Sequence, residues 1–290
     1  MKKIKYSNKD FSPSFLPQNR RDVLKDVYKL RFSLIVKCGL VLLLFSIPLL
    51  VTIIGLDLPK FGTSGFDEKQ LESFYFYQNI FLNIGVIISL YILLIAVSGV
   101  FRIIKLLIWQ EGIDFWHDFK IGVKENYKPM AFASIFITLI YLLYWVIFFF
   151  FVKSPLSFIF VIIICILFVP LYLWYLPLAN IYKASTKDYL TNSLFFFGKS
   201  IGWSLLGTVL IIWPFLFNYF QIPFTLLTAI LKPSILAILL IFYYPFLIIV
   251  VELYSNYHFD KWINAEAYPE FYRKGLFSGE TFKDEEEDLY

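Results

Sequence analysis

The chain has 290 residues, of which 59% are hydrophobic, 21% aromatic and only 17% charged, and its mean hydropathy is +0.69. Soluble domains carry about a quarter charged residues, and one soluble core of this length cannot bury so much apolar surface, so the composition excludes a soluble globular protein and points to a polytopic membrane protein. The formal net charge of +4 says little as a total, because its division between connectors is what orients a membrane chain.

Residues 1–32 are basic and polar, a cytoplasmic segment in which Pro13 and Pro17 break any early helix. An amphipathic helix is predicted from Asn19, with Val23, Val27, Leu30 and Leu34 on one stripe suited to the membrane surface. No basic stretch runs straight into an apolar one, so no cleaved signal peptide is expected. A membrane domain over 33–254 then holds six predicted spans, at about 33–56, 78–107, 129–152, 155–179, 200–221 and 234–254. The second would reach ~45 Å and should project beyond a ~30 Å hydrocarbon core. Pro129 reads as the first-turn proline of the third span. Only Lys153 and Ser154 separate the third from the fourth, which makes the two an antiparallel hairpin. Pro170, Pro177, Pro214 and Pro245 fall inside spans and predict kinked helices whose freed carbonyls are satisfied by neighbours. The tail, 255–290, ends in a solvated acidic run at 284–288.

Placing both tails and the 102–128 and 180–199 connectors on one side gives that side 21 of the 26 Lys and Arg, against four on the other. The positive-inside rule then puts both termini in the cytoplasm. The expected fold is all-α: a six-helix transmembrane bundle, N-in and C-in, with amphipathic cytoplasmic elbows.

The first elbow, within GVFRIIKLLIWQEGIDFWHDFKIGVKENYKP at 99–129, is the one long segment that mixes charge with aromatic residues. Glu111, Asp114 and Asp118 beside His117 would share a face on a helix, which is how oxygen-rich metal sites or acid/base pairs are built. The favoured reading is instead an interfacial helix with Phe115, Trp116 and Phe119 at headgroup level. The chain has no HExxH, GxSxG, P-loop, GxGxxG or CxxC pattern, only two histidines, His117 and His258, and its two cysteines, Cys38 and Cys165, lie in apolar runs. No enzyme activity, cofactor or metal is therefore expected. The elbow reads as a partner-docking surface made by Trp109, Glu111, Asp114, Phe115, Trp116, Asp118, Phe119, Lys120, Lys124 and Lys128.

At membrane depth only Lys37 and Glu252 carry charge, each about a turn from the cytoplasmic side, where they can snorkel or pair between the first and last spans. Gly198 and Gly202 form a GxxxG pattern suited to helix packing within the bundle. Tyr141, Tyr144 and Trp145, with Tyr243 and Tyr244, lie deeper than an aromatic belt and suggest a protein-facing surface or a lined cavity. A 76-residue shift lays Phe119, Gly122 and Tyr127 over Phe195, Gly198 and Trp203, which would suit a repeat of span, elbow and span.

The helix end with basic residues, the F-W-x-D-F elbow and the Lys-Pro start of the next span, together with LPLANIYKASTKDYLTNSLFFFGKSIGWSLLG at 176–207, resemble the YesL-like bacterial integral membrane proteins (domain of unknown function 624, DUF624) over about residues 30–260. The long N-terminal region, the extended first external connector and the tail beyond Lys261 depart from that pattern. The resemblance implies no catalytic residues. It implies a place in a bacterial cytoplasmic membrane and an accessory role beside a carbohydrate uptake system of the ATP-binding cassette (ABC) type. Expected partners are the lipid bilayer and ABC transporter subunits, with no nucleic acid and no indication of a homo-oligomer. The alternative is a transporter or permease that moves a small solute itself. A membrane enzyme would rest on Glu111, Asp114, His117 and Asp118 alone.

Overall fold

The structure, a computed structural model, describes residues 16–57, 67–151, 155–216 and 234–276. Every regular element among these residues is helical. In chain order they are α1 (Arg20–Leu30), α2 (Phe32–Asp57), α3 (Glu68–Ile108), α4 (Phe115–Phe151), α5 (Pro155–Ile181), α6 (Thr186–Lys199), α7 (Ile201–Leu216) and α8 (Ser234–Ala267). Two π turns, Leu239–Tyr243 and Asp260–Asn264, interrupt α8, and a 3-10 turn, Pro269–Phe271, follows it.

Three stretches, Phe32–Thr52, Ile80–Ile108 and Ser234–Ala267, are long and apolar enough to cross a membrane, and the bent pair α6–α7 is a fourth if it counts as one span. These are the marks of a helical membrane protein. Along α2, Leu40, Leu44, Ile47 and Val51 lie exposed at spacings of three and four, an apolar stripe turned outward as lipid-facing side chains are. The tightest packing lies at the end of the bundle where α3 ends, α4 begins and α6 follows α5. There Trp174 of α5 stacks on Phe196 of α6, and Phe196 meets Phe259 of α8 at 4.9 Å between ring centroids.

α3 begins well before the predicted start at 78. Asp67 and Gln70 form a reciprocal capping box at its N-terminus, and nothing breaks the helix for 41 residues, or ~60 Å. It ends in a Schellman turn: Gln110, at φ 56°, donates from its N–H to the Leu107 carbonyl, and the Glu111 N–H donates to Leu106. The first elbow and the third predicted span are one helix, α4, so Pro129 lies inside that helix and not in a first turn. α4 can lie close along α3 because glycines meet there. A Cβ on Gly122 would come within 3.1 Å of the Gly99 Cα and 2.7 Å of the Arg102 Cβ.

Proline positions show where neighbours take up freed carbonyls. Pro214 cannot donate to Leu210, and the Tyr243 hydroxyl of α8 donates to that carbonyl at 2.6 Å while accepting the Trp213 indole N–H at 2.7 Å. Pro245 likewise cannot donate to the Ile241 carbonyl. That carbonyl faces Gly39 of α2, where any side chain would overlap it. Tyr243 and Tyr244 are thus helix-packing residues of α8, whereas the Tyr141, Tyr144 and Trp145 side chains lie outside the described residues.

Gly198 and Gly202 do not share a helix: they flank a 105° bend at Ser200 between α6 and α7, and among the described residues a Cβ on either would meet nothing within 4 Å. The packing glycines are instead Gly39, Gly99, Gly122 and Gly207. The 76-residue shift has no common geometry, since Gly122 lies mid-helix against α3 and Gly198 lies just before the bend. α1 also differs from expectation. Capped by Asn19, it buries Val23 and Val27 in the protein core, while Leu30 is 71% exposed. It is held by Arg20, whose guanidinium pairs with Asp260 at 2.7 Å, and by Tyr28, edge-on to Phe246.

Candidate functional site

The elbow end holds a buried polar cluster that no sequence motif announces. Lys105 of α3, Asn126 of α4, Asn180 of α5, and Glu252 and Asn256 of α8 are all buried, Glu252 completely. Asn180 is the hub. Its side-chain amide donates to Glu252 Oε1 at 2.8 Å and to the Phe101 carbonyl at 3.0 Å, its Oδ1 accepts from Asn126, and its main-chain carbonyl accepts from Lys105 Nζ at 2.6 Å. Asn256 donates to the second Glu252 oxygen at 3.3 Å and to the Glu252 carbonyl, and it accepts the Trp109 indole N–H at 3.2 Å. Lys105 and Glu252 make no ion pair within 4 Å; Asn180 bonds both and links them. Removing charges from water is costly unless their remaining hydrogen bonds are met. Here each carboxylate oxygen has an amide donor. The cluster joins four helices and works as a lock between them.

The elbow is fastened around this lock. Trp109, 7% exposed, stacks on Phe271 at 5.5 Å, with Lys274 Nζ 4.2 Å from its ring centre. Lys274 also pairs with Glu111 at 2.7 Å. Gly275, at φ 80°, lets this C-terminal turn lie against Ile108 and Trp109, where a Cβ would come within 2.6 Å of the Ile108 carbonyl. Below it, the Tyr182 hydroxyl donates to Asn264 Oδ1 at 2.5 Å. Burial first, and the nearby Asp260 carboxylate second, hold the Tyr182 phenol above the ordinary tyrosine range.

The three elbow acids do not line one helix face. Glu111 and Asp114 precede α4, and Asp114 caps it: its N–H donates to Asp118 Oδ2 at 2.8 Å, and its side chain accepts the His117 N–H. Asp118 lies 3.9 Å from Arg102, whose guanidinium also bonds Glu125 at 2.5 Å. Among the described residues no group of three metal-ligating side chains occurs. Phe119 is buried against Gly99 and Phe45, Phe115 packs edge-on to Trp116, and Trp116 is 59% exposed. Trp116, Lys120, Lys124 and Lys128 form an exposed stripe up the first half of α4. Of the ten predicted docking residues, these four and the capping Asp114 are exposed, Phe115 is half-buried, and Trp109, Glu111, Asp118 and Phe119 serve the fold.

Lys37 and Glu252 are not brought together. Lys37 is exposed on α2, and Glu252 is enclosed by Asn180 and Asn256. The residues that sequence reasoning missed are Lys105, Asn126, Asn180 and Asn256. Their one sequence mark is an amide or a lysine at the edge of an apolar run, which reads equally well as ordinary connector polarity.

Between α2, α3, α5, α7 and α8 lies a cavity of about 450 Å³ walled by Leu, Val, Ile and Phe side chains, with Ser46, Tyr172 and Tyr244. In comparisons with protein-family models, with curated proteins and with solved structures, the chain matches none.

Proposed function

We propose that this chain is a non-enzymatic, six-span protein of a bacterial cytoplasmic membrane, with both termini in the cytoplasm and YesL-like in kind, that docks onto another membrane assembly through its first elbow. The observation that carries the reading is the stripe of Trp116, Lys120, Lys124 and Lys128. It stands exposed on a helix that Arg102, Glu125 and the Gly99–Gly122 contact hold rigid, and its three lysines make no ion pair among the described residues. An exposed tryptophan on a fixed scaffold is the kind of anchor that protein interfaces favour, and the lysines beside it would steer and meet a partner's acidic groups. The six-span count rests on the apolar runs and the orientation on the 21-to-four division of Lys and Arg.

The partner is an ABC-type carbohydrate importer, on the strength of the family resemblance. A photo-crosslinker placed at Lys124 in native membranes is expected to capture subunits of such an importer, and Lys120→Glu with Lys124→Glu to abolish the adduct. Repeated recovery of no transporter subunit would end this reading. A permease acting alone is less favoured, because the cavity between the helices is lined almost wholly by apolar side chains and holds no charged group for a hydrophilic solute.

A further inference from the structure

A second cavity, of about 870 Å³, opens at the elbow end between the start of α1, the start of α7, the last turns of α8 and the C-terminal turn. Four cations line it, Arg20, Arg21, Lys261 and Arg273, against a single carboxylate, Asp260. That carboxylate is already engaged: Arg20 pairs with one oxygen at 2.7 Å, and the other accepts from Asn264 and from the Arg273 main chain. Arg20 is only 10% exposed, and its Nε has no hydrogen-bond partner among the described residues. The N-terminus of α1, at Asn19, adds the positive end of a helix dipole.

The chemistry changes with depth. Below the cations the wall is apolar: Leu24, Val250, Leu253 and Trp203, whose indole stacks on Tyr254 at 4.0 Å. Val250 and Leu253 lie two to three turns before Lys261 in α8, within a stretch long and apolar enough to cross a membrane, near whose end Tyr257 and Lys261 stand. Tyr257 and Tyr272, both about half exposed, stand at the mouth as aromatic residues do at a headgroup boundary. A free phosphate would have no use for the apolar wall, and an acidic peptide would not need it to continue into a membrane span.

We infer that this cleft binds one anionic phospholipid, its phosphate held by Arg21 and Lys261 at the mouth and its acyl chains laid along Leu24, Trp203 and Leu253. Basic pockets between transmembrane helices on the cytoplasmic side recognise anionic headgroups in this way. The inference uses the membrane orientation proposed above. It does not depend on the docking partner, because the stripe on α4 is no part of the cleft.

Native mass spectrometry of the full chain in neutral detergent, with palmitoyl-oleoyl phosphatidylglycerol or phosphatidylcholine added, tests it. One phosphatidylglycerol should be retained, and no phosphatidylcholine. Arg21→Gln with Lys261→Gln should weaken retention by roughly 20-fold, about fivefold for each cation removed, with an unchanged thermal midpoint in lipid-free micelles. Lys120→Gln with Lys124→Gln should leave retention as it is. Equal binding of phosphatidylcholine, equal loss in the α4 control, or undiminished binding by the cleft variant would overturn the proposal. Displacement by soluble glycerol 3-phosphate at equal concentration would assign the site to a free phosphate instead. Lipid that binds only after residues 277–290 are removed would make the acidic run the occupant.

Discussion

Glu252→Gln strikes the buried lock with the smallest change in shape. The amide can still accept one hydrogen bond, from Asn180 or Asn256, but it turns an NH₂ toward the other donor and removes the carboxyl group that Asn180 links to Lys105. Lys105, 8% exposed, is then a buried cation with only the Asn180 carbonyl to bond. Lys105 and Glu252 are joined through Asn180 and not by a direct ion pair, so leaving this buried network unmet on one side costs about 1–3 kcal/mol. Lys105→Met leaves Glu252 as the uncompensated charge, at a similar cost. The double variant removes both charges, so its loss should fall short of the summed single losses by ~1–3 kcal/mol, the coupling found between residues of one network. Reversible unfolding in mixed micelles, followed by far-UV helicity, measures all four corners of the cycle. Single losses that add to within ~0.5 kcal/mol would show that the two charges do not depend on each other, and the lock would have to be abandoned.

The same micelles test two further expectations. Gly39→Ala sets a methyl against the Ile241 backbone, which cannot rotate away, and should cost about 3 kcal/mol as overpacking. Gly198→Ala and Gly202→Ala meet open space and should change stability by no more than ~0.5 kcal/mol in the unfavourable direction. The reverse order would restore the GxxxG pair as the packing site. Tyr243→Phe strips the Leu210 carbonyl of its donor and the Trp213 indole of its acceptor, a loss of about 1–3 kcal/mol for leaving buried polar groups unmet. An unchanged unfolding midpoint would mean that Pro214 needs no help from α8.

Legibility in the sequence differed from element to element for physical reasons. The range 33–56 and the helix Phe32–Asp57 coincide, as do 155–179 and Pro155–Ile181, because an unbroken apolar run of bilayer length has few alternatives to a helix. The cap of α1 at Asn19 was visible for a similar reason, since it is satisfied by a neighbour three residues away. The elbow was harder. Its charges and aromatic rings suggested a surface-lying turn, yet Asp114 and Asp118 cap a helix at Phe115 that runs straight into the next hydrophobic stretch. Gly198 and Gly202 had the right spacing for packing, but spacing fixes a shared face only on an unbroken helix, and α6 and α7 part at Ser200.

Hydrophobic runs and the distribution of lysine and arginine, both read along the chain, determined the helical membrane character and the orientation argued for it, because bilayer thickness and charge asymmetry act on local sequence. Which polar residues meet was decided only by tertiary structure. Glu252 lies 72 residues from Asn180, Trp109 lies 147 from Asn256, and Arg20 lies 240 from Asp260. Partners so distant leave no periodicity to read. Hence Glu252 has Asn180 and Asn256 as its partners in place of Lys37, and the outward half of the first elbow narrows to Trp116 and the three lysines of α4.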